Sequence, residues 1–105
     1  MTAAAEFFAA LPERLSARGD DMGGAVVAFA LAGAPHGGWT LRFGPGGPEL
    51  DRGVAAADVT VTCQNDVWEQ LLERAVEPQT AWATGLLTVT GDMRLAQRLR
   101  SLLEF

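Results

Sequence analysis

The residues that could carry out chemistry in this chain are few. Its only imidazole is His36, which lies among glycines in a turn-like segment, and its only thiol is Cys63. Catalysis by a side chain needs a base, a nucleophile or a bound metal, positioned by a second group. The sequence offers no such second group at a recognisable spacing. We therefore predict a solvated histidine and a small buried cysteine.

Glycines and acidic residues also form no recognisable ligand site. The glycine-rich run from Gly44 to Pro48 is not followed by a helix and a lysine that could hold phosphates. Asp20, Asp21 and Asp51 do not have the spacing of a calcium loop. A single cysteine rules out a cysteine-rich zinc site. We predict no metal, no cofactor and no enzymatic activity.

The charge balance argues against a nucleic-acid partner. Thirteen acidic residues against eight basic ones give a formal net charge of -5, which would repel a phosphate backbone. Arg94, Arg98 and Arg100 lie near the end of the chain, where we expect them on the solvated face of a helix.

Length and composition predict one soluble domain over residues 1–105. Chain-size scaling implies that about two thirds of the unfolded surface is buried on folding. The hydrophobic fraction of 49% excludes disorder, and no apolar run is long enough to span a bilayer. Because the start of the chain does not resemble a secretory signal, we expect a cytoplasmic protein. The alanine-rich composition without lysine is typical of a GC-rich bacterial source.

Large apolar side chains are the main resource of this sequence. Three tryptophans and five phenylalanines occur in 105 residues. These side chains could fill a core or line a cavity for an apolar ligand, and the pattern alone favours the core.

The periodicity predicts a helix, four strands, two short helices, a strand and a helix. The first helix extends from Ala3 to Arg18, with Pro12 delaying its start or bending it. Alternation then predicts strands around Val27 to Leu31, Trp39 to Phe43, Glu49 to Arg52 and Asp58 to Gln64.

The rest of the chain returns to helical spacing, interrupted by one strand. Asp66 and Glu69 have the spacing of a capping box, ahead of an apolar stripe through Trp68, Leu71, Leu72 and Ala75. Gln79 to Thr84 is a short helix and Leu86 to Thr90 a strand. Asp92 is the N-cap of a last helix with Leu95, Leu99, Leu102 and Leu103 on one face. This order of elements predicts an α+β layer architecture.

The segment Pro78 to Met93, PQTAWATGLLTVTGDM, resembles the sterol carrier protein type 2 family, which comprises sterol-binding and lipid-transfer domains. The likeness lies in the proline, the short helix with an aromatic residue, the glycine, the alternating strand and the Gly-Asp before a leucine-rich helix. Residues 57–62, ADVTVT, and Trp39 to Leu41 are similar to the same family. The resemblance covers essentially the whole chain in the right order.

The resemblance implies a five-stranded mixed sheet with helices packed on one face around an apolar tunnel. It also implies binding and transfer of a hydrophobic molecule, such as a fatty acyl chain, a sterol, an isoprenoid or quinone, or a polyketide. Many members carry a lysine after the glycine that is Gly85 here, whereas this chain has Leu86. We predict that the pocket is walled by Phe8, Leu11, Leu15, Phe43, Trp68, Leu72, Trp82, Leu86, Met93, Leu99 and Leu102.

Cavity energetics add an expectation of their own. An empty, closed cavity of about 400 Å³ would cost about 10 kcal/mol, which is similar to the whole stability of a domain. The cavity should therefore be small, admit water or retain a ligand, and a closed pocket would need the last helix to move for access. Two other functions remain open at this stage: a protein-interaction or accessory module of a biosynthetic complex, and an enzyme acting on a hydrophobic intermediate. A homodimer is also open.

Overall fold

The structure of the chain, a computed structural model, describes the backbone of residues 3–18, 24–44 and 47–103. Within these ranges it describes all side chains except those of residues 3–5, 15–18, 35 and 101–103. The elements in chain order are α1 (Ala3–Arg18), β1 (Val26–Ala32), a 3-10 turn (Pro35–Gly37), β2 (Gly38–Gly44), β3 (Gly47–Arg52), β4 (Val59–Gln64), α2 (Asn65–Leu72), α3 (Pro78–Ala83), β5 (Leu87–Gly91) and α4 (Met93–Leu103).

The five strands form one mixed sheet in the order β3-β2-β1-β4-β5. The two central strands, β1 and β4, are parallel, and every other neighbouring pair is antiparallel. This confirms the predicted α+β class and the five-stranded mixed sheet.

One face of the sheet is apolar and carries the helices; we call it the inner face. Val27, Phe29 and Leu31 of β1 lie on it and are fully buried. Because side chains alternate along a strand, the register places Leu41 and Val61 on the same face. The threonines of β4 alternate with its buried residues and lie on the opposite, outer face.

The connection from β3 to β4 crosses the outer face. The hydroxyl of Thr40 donates a hydrogen bond to the carbonyl oxygen of Gly53 and accepts one from the backbone N–H of Ala55. Asp58 then pairs with Val26 through its backbone N–H and its carboxylate, at 2.8 Å each. The outer face is therefore closed over β1 and β2 by a loop, and the four helices are left to the inner face.

The first helix has the predicted bounds, Ala3–Arg18, and Pro12 lies inside it without delaying its start. The start of the second helix differs from the prediction. The N-cap of α2 is Gln64, without a side-chain hydrogen bond, so the predicted capping box of Asp66 and Glu69 is wrong. Asp66 lies in the first turn instead, where its Oδ1 accepts from the N–H of Val67.

The last helix is fixed to the sheet by a tight backbone approach. Gly91 has a φ of 108°, and a Cβ at this position would collide with the carbonyl oxygen of Asp58. The same oxygen accepts the N–H of Asp92, which in turn caps α4 by accepting the N–H of Arg94 at 2.9 Å. The prediction of Asp92 as the N-cap is confirmed.

Candidate functional site

The inner face is filled on the side of α1. Five aromatic residues, which we call the aromatic cluster, pack there: Phe7, Phe8, Phe29, Trp39 and Trp68. Phe8 is their centre, with its ring stacked 4.4 Å from that of Trp39 and edge-on at 5.0 Å from that of Phe29. Edge-to-face and offset rings at these distances pack with little free space. This half of the face is a solid core.

The other half of the inner face, over β4 and β5, lies under a pocket of about 380 Å³. Its floor is formed by Val61 of β4 and by Leu87 and Val89 of β5. Val61 and Val89 are directly paired across the two strands. The floor is therefore a continuous apolar surface.

Helices α2, α3 and α4 supply the walls of this pocket. Trp68 of α2 forms the boundary between the pocket and the other four residues of the aromatic cluster, because the same indole contacts Phe8 and lines the pocket. Pro78 begins α3 at its first turn, a position that suits proline. The remaining wall residues are Gln79 and Trp82 of α3 and Met93, Ala96, Gln97, Leu99 and Arg100 of α4.

The pocket is open at its rim. Trp82 is 49% exposed and Met93 is 45% exposed, although both line it. Water can therefore enter the pocket. The ligand-free protein does not lose the full stability that an empty, closed cavity of this volume would cost. The pocket is small for a ligand site, for which 300 to 1,000 Å³ is typical. Access through this rim does not require α4 to move, in contrast to the expectation for a closed pocket.

Four of the predicted wall residues line the pocket together: Trp68, Trp82, Met93 and Leu99. They come from three helices that the periodicity had placed correctly. Their side chains converge because α3 and α4 flank β5, the strand that contributes Leu87 and Val89 to the floor.

Five other predicted wall residues lie outside the pocket. Phe8, Leu11 and Phe43 are buried in the solid core and not in the pocket. Leu72 is half-buried and packs against the core, and Leu86 is 46% exposed. The side chains of Leu15 and Leu102 lie outside those that the structure describes.

Sequence reasoning missed all three residues of the floor and part of the wall. Val61, Leu87 and Val89 belong to strands whose alternation was recognised, so their inward direction could have been inferred. The sequence has no comparable indication for Ala96, a small residue that leaves space within α4.

Neither of the two residues singled out for chemistry lines the pocket. His36 is exposed in the 3-10 turn, with a φ of 61°. Cys63 is buried in β4 opposite Leu87. Burial, followed by the negative charge of Asp66, raises the pKa of the Cys63 thiol to about 11. The thiol is therefore protonated at neutral pH and is a poor nucleophile.

A second cavity, of about 400 Å³, adjoins the first and is more polar. Arg74, Val76 and Glu77, which lie between α2 and α3, line it. Its other lining residues are shared with the apolar pocket: Pro78, Gln79 and Arg100. The two cavities therefore meet at Arg100 and the start of α3.

Across the described residues, no helix combines the length and the apolar character needed to cross a lipid bilayer.

The sequence profile of the SCP-2 sterol transfer family matches residues 6–104. The curated proteins contain no match. Palmitated SCP2L2 from Aedes aegypti is 20% identical with a TM-score of 0.72, and the alignment covers 100% of this chain and 96% of that one. Apo sterol carrier protein 2 from Yarrowia lipolytica is 18% identical with a TM-score of 0.67, over 96% and 89% of the two chains.

An enzyme also contains this fold as one part. The stereoselective inverting sec-alkylsulfatase from Pseudomonas sp. is 21% identical with a TM-score of 0.68 over 97% of this chain. This chain spans only 16% of the length of that enzyme. At such identities, the structural likeness shows a shared fold and nothing about ligands.

Proposed function

We propose that this chain, which belongs to the SCP-2 sterol transfer family, binds a small apolar molecule in the pocket over β4 and β5. Membership of the family suggests lipid or sterol binding or transfer. The observation that carries the proposal is the unequal filling of the inner face. Side chains fill the half under α1, whereas the half under α3 and α4 keeps about 380 Å³ of space over an apolar floor.

The lining chemistry supports binding without a reaction. Apart from Gln79, Gln97 and Arg100, every side chain that the structure places in the pocket wall is apolar. None of them is a carboxylate, hydroxyl, thiol or imidazole that could act as an acid, a base or a nucleophile. We infer a carrier or storage role, in which the protein keeps its ligand out of water, and we expect this to take place in the cytoplasm.

The ligand class is narrowed by the size of the pocket and by the relatives. The Aedes aegypti relative is described as palmitated and the Yarrowia lipolytica relative as a sterol carrier protein. A volume near the lower end for ligand sites favours a slender molecule, such as one acyl or isoprenoid chain, over a bulky ring system.

Ligand-dependent melting tests the proposal. Dodecan-1-ol, a neutral single-chain probe, should raise the melting temperature of the full chain by about 10 °C at a free concentration a hundred times its Kd. Trp82→Asp places a charge at the rim of the pocket and should abolish this shift. Trp82 is half-exposed, so the variant should still fold.

The matched control is Leu86→Asp, the same change at an exposed leucine that does not line the pocket. It should keep the shift of the wild type. Equal shifts in all three proteins, or no shift in the wild type with any single-chain probe, would contradict the proposal.

A protein-binding role is the second candidate, favoured by one observation. Trp82, Leu86 and Met93 are each nearly half-exposed at or beside the rim of the pocket, and exposed apolar patches mark interaction surfaces. If the chain is an accessory module of a larger assembly, Leu86→Asp should weaken assembly while leaving the melting shift unchanged. Co-purification of the two variants with the same partner separates the two roles.

A further inference from the structure

We propose that the ligand of the apolar pocket is an amphiphile with one carboxylate, and that Arg74 and Arg100 hold this carboxylate in the second cavity. The inference rests on the proposed function, because it places the head group of a ligand whose alkyl chain occupies the apolar pocket.

The two cavities are arranged in series. Pro78, Gln79 and Arg100 line both of them, so the polar cavity begins where the apolar pocket ends. Met93 and Arg100 both line the apolar pocket and lie two helical turns apart on α4, about 10 Å along its axis. A chain lying along α4 would therefore bring its head group to Arg100.

The charges at this end are positive in a chain that is otherwise acidic. The second cavity is lined by two guanidinium groups, Arg74 and Arg100, and by one carboxylate, Glu77. Within the part of the chain that the structure describes, neither guanidinium forms an ion pair. The lining residues that the structure describes thus carry a formal charge of +1, against -5 for the whole chain. A single negative charge on the ligand would balance it.

The backbone at Arg74 is a second, independent observation. Helix α2 ends in a Schellman motif, in which the N–H of Ala75 bonds to the carbonyl oxygen of Gln70 and the N–H of Arg74 to that of Leu71. Arg74 occupies the left-handed position of this motif, with a φ of 63°. Glycine is the usual residue there, because a side chain is strained at this φ. A role for the Arg74 guanidinium in the cavity would account for an arginine at a position where glycine is less strained.

A carboxylate suits this arrangement better than a phosphate. The planar guanidinium donates to both kinds of oxygen group in pairs, so geometry alone does not separate them. The charge of the head group does separate them. A phosphate monoester carries close to two negative charges at neutral pH, and the carboxylate of Glu77 would repel the charge that is not balanced.

The test compares three probes with the same C12 chain, dodecanoic acid, dodecan-1-ol and dodecyl phosphate, on the full chain at pH 8. Arg74→Gly removes one guanidinium and also relieves the strained backbone, so the variant should be at least as stable as the wild type. Arg100→Gln removes the other. Arg94→Gln is the matched control, because it removes an exposed arginine of the same helix that lines neither cavity.

We expect dodecanoic acid to lose about three- to tenfold in affinity in each of the two cavity variants, as removal of one exposed charge-assisted contact should cause. Dodecan-1-ol should bind the wild type, Arg74→Gly and Arg94→Gln equally, because Arg74 and Arg94 do not line the apolar pocket, and Arg94→Gln should bind the acid as the wild type does. Added salt should weaken binding of the acid and leave the alcohol unchanged.

Three results would overturn the inference. If Arg74→Gly and Arg100→Gln bound the acid as the wild type does while the alcohol still bound, the head-group site would be wrong and the proposed function would stand. If dodecyl phosphate bound more tightly than the acid and lost that preference in the two variants, the site would be one for phosphate. If no probe bound at all, the proposed function would fail together with the inference.

Discussion

The two halves of the inner face are built from the same kinds of residue and differ in how they are filled. Under α1, the ring of Phe8 lies 4.4 Å from that of Trp39 and 5.0 Å from that of Phe29 in a solid core. Under α3 and α4, valine and leucine form a floor beneath open space. A small domain can therefore keep a cavity in one half because the other half supplies a rigid core.

Trp68 joins the two halves. Its indole packs 5.9 Å from the ring of Phe8 and 5.6 Å from that of Phe29, and it also lines the pocket. The side chain that divides core from cavity is thus held by the core. This arrangement keeps the pocket wall in place when no ligand is bound, since three aromatic contacts fix its rotamer.

The largest expected effect is the loss of the centre of the aromatic cluster. Phe8→Ala should lower the free energy of unfolding by about 3 to 5 kcal/mol, because it leaves a cavity that four rings cannot close. The half of the inner face that contains the pocket, which we call the hollow half, provides the control. Trp82→Ala removes a larger but half-exposed ring and should cost less than about 1 kcal/mol. Urea denaturation measures both, and similar losses would mean that the two halves are not distinct.

The stability of the protein at alkaline pH reports whether water reaches the inner face beside the pocket. The folded pKa of Cys63, about 11, exceeds its unfolded value of 9.0 because of burial and then the charge of Asp66. The stability contributed by the neutral thiol is therefore complete below about pH 9. It is lost as the pH rises to 11, amounting to about 2 to 3 kcal/mol.

The ionisation of Cys63 can be measured without overlap from other side chains. The chain has no tyrosine, and all eight of its basic residues are arginines, so no other side chain ionises between pH 9 and 11. Unfolding free energies measured across this range should fall for the wild type and stay level for Cys63→Ala. A level profile for the wild type would show that water reaches Cys63 from the pocket.

Two matched alanine-to-phenylalanine substitutions compare the two halves directly. Ala96→Phe extends a ring into the hollow half and should leave stability unchanged or raise it, while abolishing the binding of dodecan-1-ol. Ala25→Phe inserts the same ring into the solid core and should cost about 1 to 3 kcal/mol, because that region has no room for it. Equal costs in urea denaturation would contradict the distinction between the two halves.

The smallest expected effect lies on the outer face. Arg42 Nε donates to Asp51 Oδ2 at 2.7 Å, and both side chains are exposed. Asp51→Asn should change the free energy of unfolding by less than about 1 kcal/mol and leave ligand binding unaltered. A larger change would mean that the outer face supports the sheet more than its exposure indicates.

The sequence allowed the elements to be predicted well, because alternation and helical spacing report which side of an element is buried. It did not allow the pocket to be separated from the core. Phe8 and Leu99 are both buried apolar residues on helices, yet only Leu99 borders a cavity. The difference depends on the distance between helix and sheet, which no local pattern encodes.

The choice between two neighbouring leucines accounts for another difference between prediction and structure. Leu86 is predicted to line the pocket, but the strand begins at Leu87. Alternation along the strand directs Leu87 and Val89 towards the inner face. Leu87 therefore belongs to the pocket floor, whereas Leu86 is exposed.

The central claim is that an apolar ligand occupies the space over β4 and β5. The most direct measurement is the set of intermolecular nuclear Overhauser effects between unlabelled dodecan-1-ol and the labelled full chain. The account predicts contacts from the alkyl chain to the methyl groups of Val61, Val89 and Leu99. Contacts confined to the exposed side chain of Leu86, or to residues of the aromatic cluster other than Trp68, would contradict it.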